Sequence, residues 1–181
     1  MSVVAVMSPL ALLVALAAAV ITDLRRHRIP NALVLTVVVA ALVLQTLAGG
    51  WQGLGAGLLG AATGLACFMP FYVLRGMGAG DVKLLAAVGA FLGAKGALFA
   101  ALAALIAGGV GAILYVGWRA AQGALNATSR EGLTTLVPAA WIGAQSACHD
   151  RLPYAVPIAI GGCVSLYALG ALAPLAQAVG L

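Results

Sequence analysis

The composition of the chain excludes most classes of water-soluble protein. Its 181 residues are 64% hydrophobic and only 7% charged, with a mean hydropathy of +1.15, whereas soluble domains carry about 25% charged residues. A soluble domain of this length could not bury so much apolar surface, and intrinsic disorder needs low hydrophobicity with high charge. The apolar runs also lack the alternation of a β-barrel. They predict an all-α membrane protein, a bundle of about six transmembrane helices that form a single integral-membrane domain, residues 1–181.

The uncharged runs predict the spans in chain order. A helix needs about 20 apolar residues to cross a bilayer core of roughly 30 Å. The run Ile29–Leu74 carries no charge and is long enough for two spans, divided by the glycine-rich turn Gly49–Gly53. The apolar stretch Leu84–Ala94, between two lysines, is short for a span. The predicted spans are Met1–Thr22, Asn31–Ala48, Leu54–Leu74, Val82–Gly93, Gly96–Trp118 and Leu152–Leu181.

The distribution of basic residues favours six crossings. If the loop Asp23–Pro30 is cytoplasmic, six spans leave eight of the nine Lys and Arg residues on that side, and only Lys95 outside. This asymmetry follows the positive-inside rule, which also explains the net charge of +5 without a nucleic-acid partner. A re-entrant fourth segment would weaken the asymmetry. Because no basic residue precedes the first apolar run, we expect a retained span rather than a secretory signal peptide.

The longest region between predicted spans is Arg119–Arg151. It contains the weakly apolar stretch Leu133–Cys148, for which we predict an amphipathic segment at the membrane interface. Glu131 and Asp150 lie in this region among arginines, where exposure to water is enough to explain them. The three cysteines of the chain form no CxxC pair, so they predict neither a disulfide framework nor a zinc site.

The other two carboxylates, Asp23 and Asp81, lie at the ends of predicted spans, where burying a charge is unfavourable. A charge at mid-bilayer costs about 2.5–3.5 kcal/mol on insertion scales. Asp23 directly follows the first predicted span and Asp81 begins the short fourth one, so the topology places both at cytoplasmic helix ends. Each alone has an ordinary interpretation, Asp23 as a helix end before a basic loop and Asp81 as the N-cap of its helix.

The glycines before Asp81 would let a peptide approach it. Gly78 and Gly80 lack a Cβ and reach φ > 0 without strain, so backbone can pack closely beside the carboxylate and a bound extended peptide. Lys83, two residues beyond Asp81, points roughly to the opposite side of a helix, and we do not assign it to the site.

Taken together, the two acids indicate aspartyl proteolysis. Of two carboxyl groups that share a site, one stays ionised and draws a proton from water, while the other stays protonated and polarises the peptide carbonyl. This chemistry needs no metal and no cofactor, and we predict neither. His27 and His149 are too few and too close to loops to suggest a metal centre, and the sequence contains no GxSxG motif.

Two motifs carry a family resemblance. Asp23 is followed by arginines and Ile29-Pro30-Asn31, and the second motif is Gly78-Ala79-Gly80-Asp81-Val82-Lys83-Leu84-Leu85. In this order, in a six-span chain, they make the sequence similar to the type IV prepilin peptidase family, the GxGD aspartyl proteases of the bacterial inner membrane. The segment Arg151–Gly161 also resembles that family's last span, which commonly opens with a Pro-aromatic sequence.

The resemblance implies that Asp23 and Asp81 form the catalytic dyad, with Gly78 and Gly80 supporting the substrate backbone. It implies a prepilin or pseudopilin substrate, whose basic leader is removed at the cytoplasmic face after a glycine that precedes the hydrophobic helix. Larger members also N-methylate the new N-terminus through an extension with paired CxxC motifs, which this sequence lacks. It therefore resembles the short, peptidase-only form associated with tight-adherence (Flp) pili, with membrane lipid as its other partner.

Other functions would use the same residues differently. A small proton- or ion-coupled membrane transporter would use Asp23 and Asp81 to bind a proton or cation. A non-enzymatic subunit of a secretion system would need the glycines for packing alone, and a different intramembrane aspartyl protease would cut other peptides. The sequence leaves open which pilin is cleaved and what the oligomeric state is.

Overall fold

The computed structural model describes residues 3–26, 30–74, 77–128 and 155–172, and within these ranges it is helical without any strand. The predicted all-α class is confirmed for this part of the chain. Three of the helices are long and apolar enough to cross a membrane, and the last is a shorter apolar helix. The predicted interfacial stretch Leu133–Cys148 lies outside the described residues. The helices are α1 (Val3–Arg26), α2 (Asn31–Val73), α3 (Ala79–Thr128) and α4 (Ala155–Ala168).

Helix α2 is two antiparallel segments joined at Gly50. A straight helix of its 43 residues would be about 64 Å long, twice the hydrocarbon thickness of a bilayer. Gly50 has φ 58° and ψ −138°, a left-handed conformation that glycine adopts readily. Beyond it the chain turns back, since Gly53 lies against the backbone of Gln45 and Gly57 against the side chain of Leu42. The break falls inside the predicted turn and divides α2 into α2a (31–49) and α2b (51–73).

Helix α3 is broken in the same way at Gly93, where φ is 71°. The break divides it into α3a (79–92) and α3b (94–128). Gly89 and Ala97, which would be about 12 Å apart in a straight helix, lie close enough that a Cβ on Gly89 would be 3.1 Å from that of Ala97. A helix break leaves carbonyls without partners, and the side-chain amide of Gln45 donates to the carbonyl of Phe91 at 2.6 Å.

The short segment α3a lies at the centre of the core. Its 79–92 span rises only about 21 Å, and residues 84–91 are all buried. It packs against α2b without side chains between the two backbones: Gly60 contacts Gly89, and Gly64 contacts Leu85 and Ala86. Such small residues allow membrane helices to approach closely. The contact fixes the position of α3a along α2b.

Helix α4 packs against α3b and α1. Gly161 lies against the backbone of Ala100 and Ala104 in α3b, while Gly162 faces Leu16 in α1. Ser165, fully buried, donates from its Oγ to the carbonyl of Gly96 at 2.9 Å. These contacts hold α4 antiparallel to α1, because Gly162 lies beside Leu16 and Ala155 beside Asp23.

The outward faces of the helices are apolar. Large side chains such as Val14, Leu59 and Leu114 are each more than 60% exposed, a surface that soluble monomers rarely present and that lipid accommodates. By internal packing the chain divides into two compact units, Met1–Leu105 with Pro153–Leu181, and Ile106–Leu152. Of the second unit the structure describes residues 106–128. That the whole chain forms one peptidase domain stays a prediction.

Candidate active site

Asp23 lies in the last turn of α1 and is buried by the first residue of α4. Its side chain is only 8% exposed. The backbone N–H of Ala155, the first residue of α4, donates to Oδ2 of Asp23 at 3.4 Å. The first amides of any helix lack partners within that helix, and its N-terminus carries a partial positive charge. The start of α4 therefore provides a donor and a favourable field for the carboxylate.

Asp81 lies in the first turn of α3 and is supported by its own loop. It is 9% exposed, and its Oδ2 accepts from the N–H of Gly78 at 3.2 Å. In return, the N–H of Asp81 donates to the carbonyl of Gly78 at 3.1 Å. The interpretation of Asp81 as an N-cap is wrong, because α3 begins two residues earlier, at Ala79. From the third helical position its carboxylate reaches back to the residue before the helix, as the acid of a capping box does.

Asp23 and Asp81 are near enough for the charge of one carboxyl group to influence the other. Among the described residues only three polar or charged side chains are buried, namely Asp23, Asp81 and Ser165. Burying an acid is costly unless its oxygens are satisfied, and here each carboxylate meets a backbone amide at the N-terminal end of a helix. Two of the three buried polar side chains are therefore these acids, and the third, Ser165, lies in α4.

Neither Gly78 nor Gly80 has an unusual backbone conformation, and at Gly78 it is the missing side chain that matters for Asp81. Positive φ occurs at Gly50, Gly93 and Gly170 in the described chain, so the left-handed backbone considered for Gly78 and Gly80 is absent. A Cβ on Gly78 would instead lie 3.1 Å from Oδ2 of Asp81. The absence of that atom leaves room for the carboxylate beside the loop.

Comparison with known protein families decides the broader identity. Residues 10–113 match the sequence model of the type IV leader peptidase family, and this range covers more than half of the chain. The chain belongs to the type IV leader peptidase family. The family resemblance deduced from the motifs is therefore confirmed, and membership implies a protease whose relatives act on prepilins. No curated protein and no solved structure matches the chain.

In this leader peptidase family member, both acids and both motif glycines lie inside the matching range. Arg25, from the predicted cluster of cytoplasmic arginines, is exposed at the end of α1. The side chains of Arg26 and Arg28 lie outside the described part of the structure. Within that part, no group of three or more His, Cys, Asp or Glu side chains is arranged to hold a metal ion.

Two polar contacts of the family member were missed by sequence reasoning. The first is the hydrogen bond from the backbone amide of Ala155 to Asp23, which no pattern of side chains indicates. The second joins Lys83 to Asn31: its Nζ donates to Oδ1 of Asn31 at 3.0 Å. Asn31 begins α2, so this exposed bond ties the segment that carries Asp81 to the chain that follows Asp23. The pairing of Asn31 with Lys83 could have been suspected, because both belong to the motifs quoted above.

A cavity of about 260 Å³ lies near the start of α1 and the end of α3a, whereas Asp23 and Asp81 lie at the other ends of these helices. One of its lining residues is Ser8, which precedes Asp23 by about 22 Å of helical rise. It is therefore separate from the carboxyl pair. The lining comprises Ser8, Pro9, Leu12, Phe91, Leu92, Leu166 and Ala171.

Proposed function

We propose that this family member is an aspartyl endopeptidase that removes the basic leader from type IV prepilins or pseudopilins, with Asp23 and Asp81 as its catalytic residues. One observation carries the proposal. Of the three buried polar side chains among the described residues, two are the acids Asp23 and Asp81, which come from distant parts of the sequence. Each accepts a hydrogen bond from a backbone amide at the N-terminal end of a helix, and the two are near enough for their charges to interact. Burial of a carboxyl pair is costly, and catalysis supplies a reason for it.

The chemistry follows from the pair. The ionised carboxylate takes a proton from water as the water oxygen attacks the carbonyl carbon of the scissile peptide bond, and the protonated carboxyl gives its proton to the carbonyl oxygen. The tetrahedral intermediate then collapses. The C–N bond breaks, the leaving nitrogen receives the proton that the first carboxylate took, and the second carboxyl regains its own. Neither aspartate is changed at the end of the cycle.

The proposed topology has six crossings, with the carboxyl pair at the cytoplasmic face of the bacterial inner membrane. The antiparallel halves of α2, the reversal at Gly93 and the basic residues of the sequence support it. The leader then stays in the cytoplasm while the substrate helix lies in the bilayer beside the bundle. Because α3a is shorter than the bilayer core, Asp81 at its start lies at a depth that water reaches from the cytoplasm.

Peptidase activity without methylation completes the proposal. N-methylation in larger relatives depends on paired CxxC motifs, as the resemblance implies, and these 181 residues contain none. This is the form associated with tight-adherence pili. The product would be a pilin with a free N-terminal amine.

The test is co-expression with a pilin that carries a basic leader, read by the mass of the pilin. Wild type should remove the leader, while Asp23→Asn and Asp81→Asn should leave it in place although both variants accumulate in the membrane. Asp150→Asn makes the same chemical change at an acid that is not assigned to the dyad, and this variant should process normally. Normal cleavage by either dyad variant would reject the assignment. If the wild type leaves the pilin intact but moves ions in liposomes, the transporter function replaces this one.

A further inference from the structure

We infer that the backbone amide of Ala155, at the start of α4, positions the Asp23 carboxylate for catalysis. The inference rests on the proposed function and goes one step beyond it, by assigning a role to the last helix. Ala155 acts through Asp23 and does not touch the reacting peptide. It is therefore a positioning residue rather than a catalytic one.

The location of Asp23 explains why an outside donor is needed. It lies three residues before the end of α1, close to the negative end of that helix dipole, where a carboxylate is disfavoured. Its own helix offers no free amide there, because only the first amides of a helix lack intrahelical partners. The N–H of Ala155 and the positive end of α4 provide both a hydrogen bond and the opposite field. Without them the carboxylate would be a buried anion at an unfavourable helix end.

The donor is built rigidly. Ala155 is fully buried and is the first of the 14 residues of α4, a helix long enough for an effective N-terminus. Pro157 lies in its first turn, where the missing N–H of proline costs nothing. The contact of Gly161 with Ala100 and the hydrogen bond of Ser165 to Gly96 fix the axis of α4. An amide fixed in this way is ready before substrate arrives, which is the condition for effective electrostatic positioning.

The decisive variant is Ala155→Pro, with Ala155→Gly as its matched control. Proline removes the N–H and suits the first position of a helix, whereas glycine keeps the N–H and removes only the methyl group. Hydrogen bonds to charged groups are among the stronger ones, so we expect kcat for leader cleavage to fall about ten- to hundredfold in Ala155→Pro. KM should stay within about twofold, because Asp23 acts on water and the reacting bond rather than on the substrate helix. Ala155→Gly should cleave like wild type.

A second substitution covers the case in which proline does not fit the buried position. Replacing Ala155 by lactic acid, through nonsense suppression in a cell-free membrane system, exchanges the N–H for an ester oxygen and keeps the methyl group. It should reproduce the loss of kcat expected for proline. If both variants fold and keep kcat within twofold of wild type, or if KM rises while kcat is unchanged, the inference is overturned.

A readout without catalysis separates this inference from the proposed function. The amide hydrogen of Ala155 should exchange with solvent at least about tenfold faster in Asp23→Ala than in wild type, and at the wild-type rate in Asp81→Ala. That result supports the bond even if no pilin is cleaved, in which case only the proposed function has failed. Equal exchange in wild type and Asp23→Ala overturns the inference even if the enzyme is active.

Discussion

The two buried aspartates are held in different ways. Asp81 is supported locally: its carboxylate accepts from Gly78, three residues earlier, and both belong to one short motif at the start of α3. Asp23 is supported from a distance, by the amide of Ala155 in the last helix, 132 residues further along the chain. One acid is placed by its own loop and the other by the assembly of the bundle.

The two acids should be sensitive to substitutions in different parts of the molecule. Asp81 should respond to changes within its motif, because its donor moves with it. Asp23 should respond to changes that shift α4 relative to α1, including changes far from the carboxylate.

Removing either carboxylate should lower turnover more than any other change, regardless of how that carboxylate is held. General acid–base catalysis contributes about 10²–10⁴-fold, so Asp23→Asn and Asp81→Asn should each lower kcat/KM by that amount. Because the two act as a unit, the double variant should be little worse than either single one. Purified enzyme and a leader peptide fused to a pilin helix provide the measurement. Losses that multiply in the double variant would show two independent sites instead of a dyad.

Displacing α4 should weaken the remote support. In Gly161→Ala the new Cβ collides with the carbonyl of Ala100, and overpacking of this kind costs about 1–3 kcal/mol. We expect that loss in the free energy of unfolding in detergent, together with slower cleavage. Gly162→Ala is the matched control, because its Cβ meets chiefly the flexible end of Leu16. Equal stability of the two variants would contradict the described packing of α4.

Crowding the local support should affect Asp81 and leave the fold intact. In Gly78→Ala the Cβ would lie 3.1 Å from Oδ2 of Asp81, so the carboxylate must move by a few tenths of an ångström. Small misplacements of catalytic groups are costly, and we expect kcat to fall about tenfold with an unchanged unfolding temperature. The control is Gly55→Ala, where open space surrounds the new Cβ. A fall in stability instead of kcat would assign Gly78 to packing.

The smallest effect belongs to the bond between Lys83 and Asn31. Both residues are exposed, and exposed polar contacts contribute at most about 1 kcal/mol. Lys83→Met and Asn31→Leu should each cost less than about fivefold in kcat/KM. If the bond carries the effect, the double variant should match the single ones, as a double-mutant cycle detects. Additive losses would mean that the two side chains act separately.

Much of this architecture could be predicted from local sequence. The apolar runs indicate an all-helical membrane protein, and the glycine-rich turn near Gly50 lies where α2 reverses. The reversal at Gly93 coincides with the end of the predicted short segment. Such features depend on composition and on backbone freedom at single residues, which a sequence displays directly.

The missing parts depend on contacts between distant segments. The N-cap assignment of Asp81 failed because Gly-Ala-Gly before it gives no clear helix start, and the helix began earlier once α3a was packed into the core. The contact of Gly60 with Gly89 joins two glycines in a chain that has 24 of them, so the sequence does not single them out. The donor from Ala155 is main chain, and every residue except proline carries one.

The main-chain donor at Ala155 has a genetic consequence. A hydrogen bond donated by the backbone leaves no signature in the side chain at its position. A saturation library at position 155 should therefore favour small residues for reasons of space, since the site is fully buried. Among the residues that fit, proline alone should give an enzyme that folds but cleaves slowly. A library that omits proline would therefore show position 155 as an ordinary packing position.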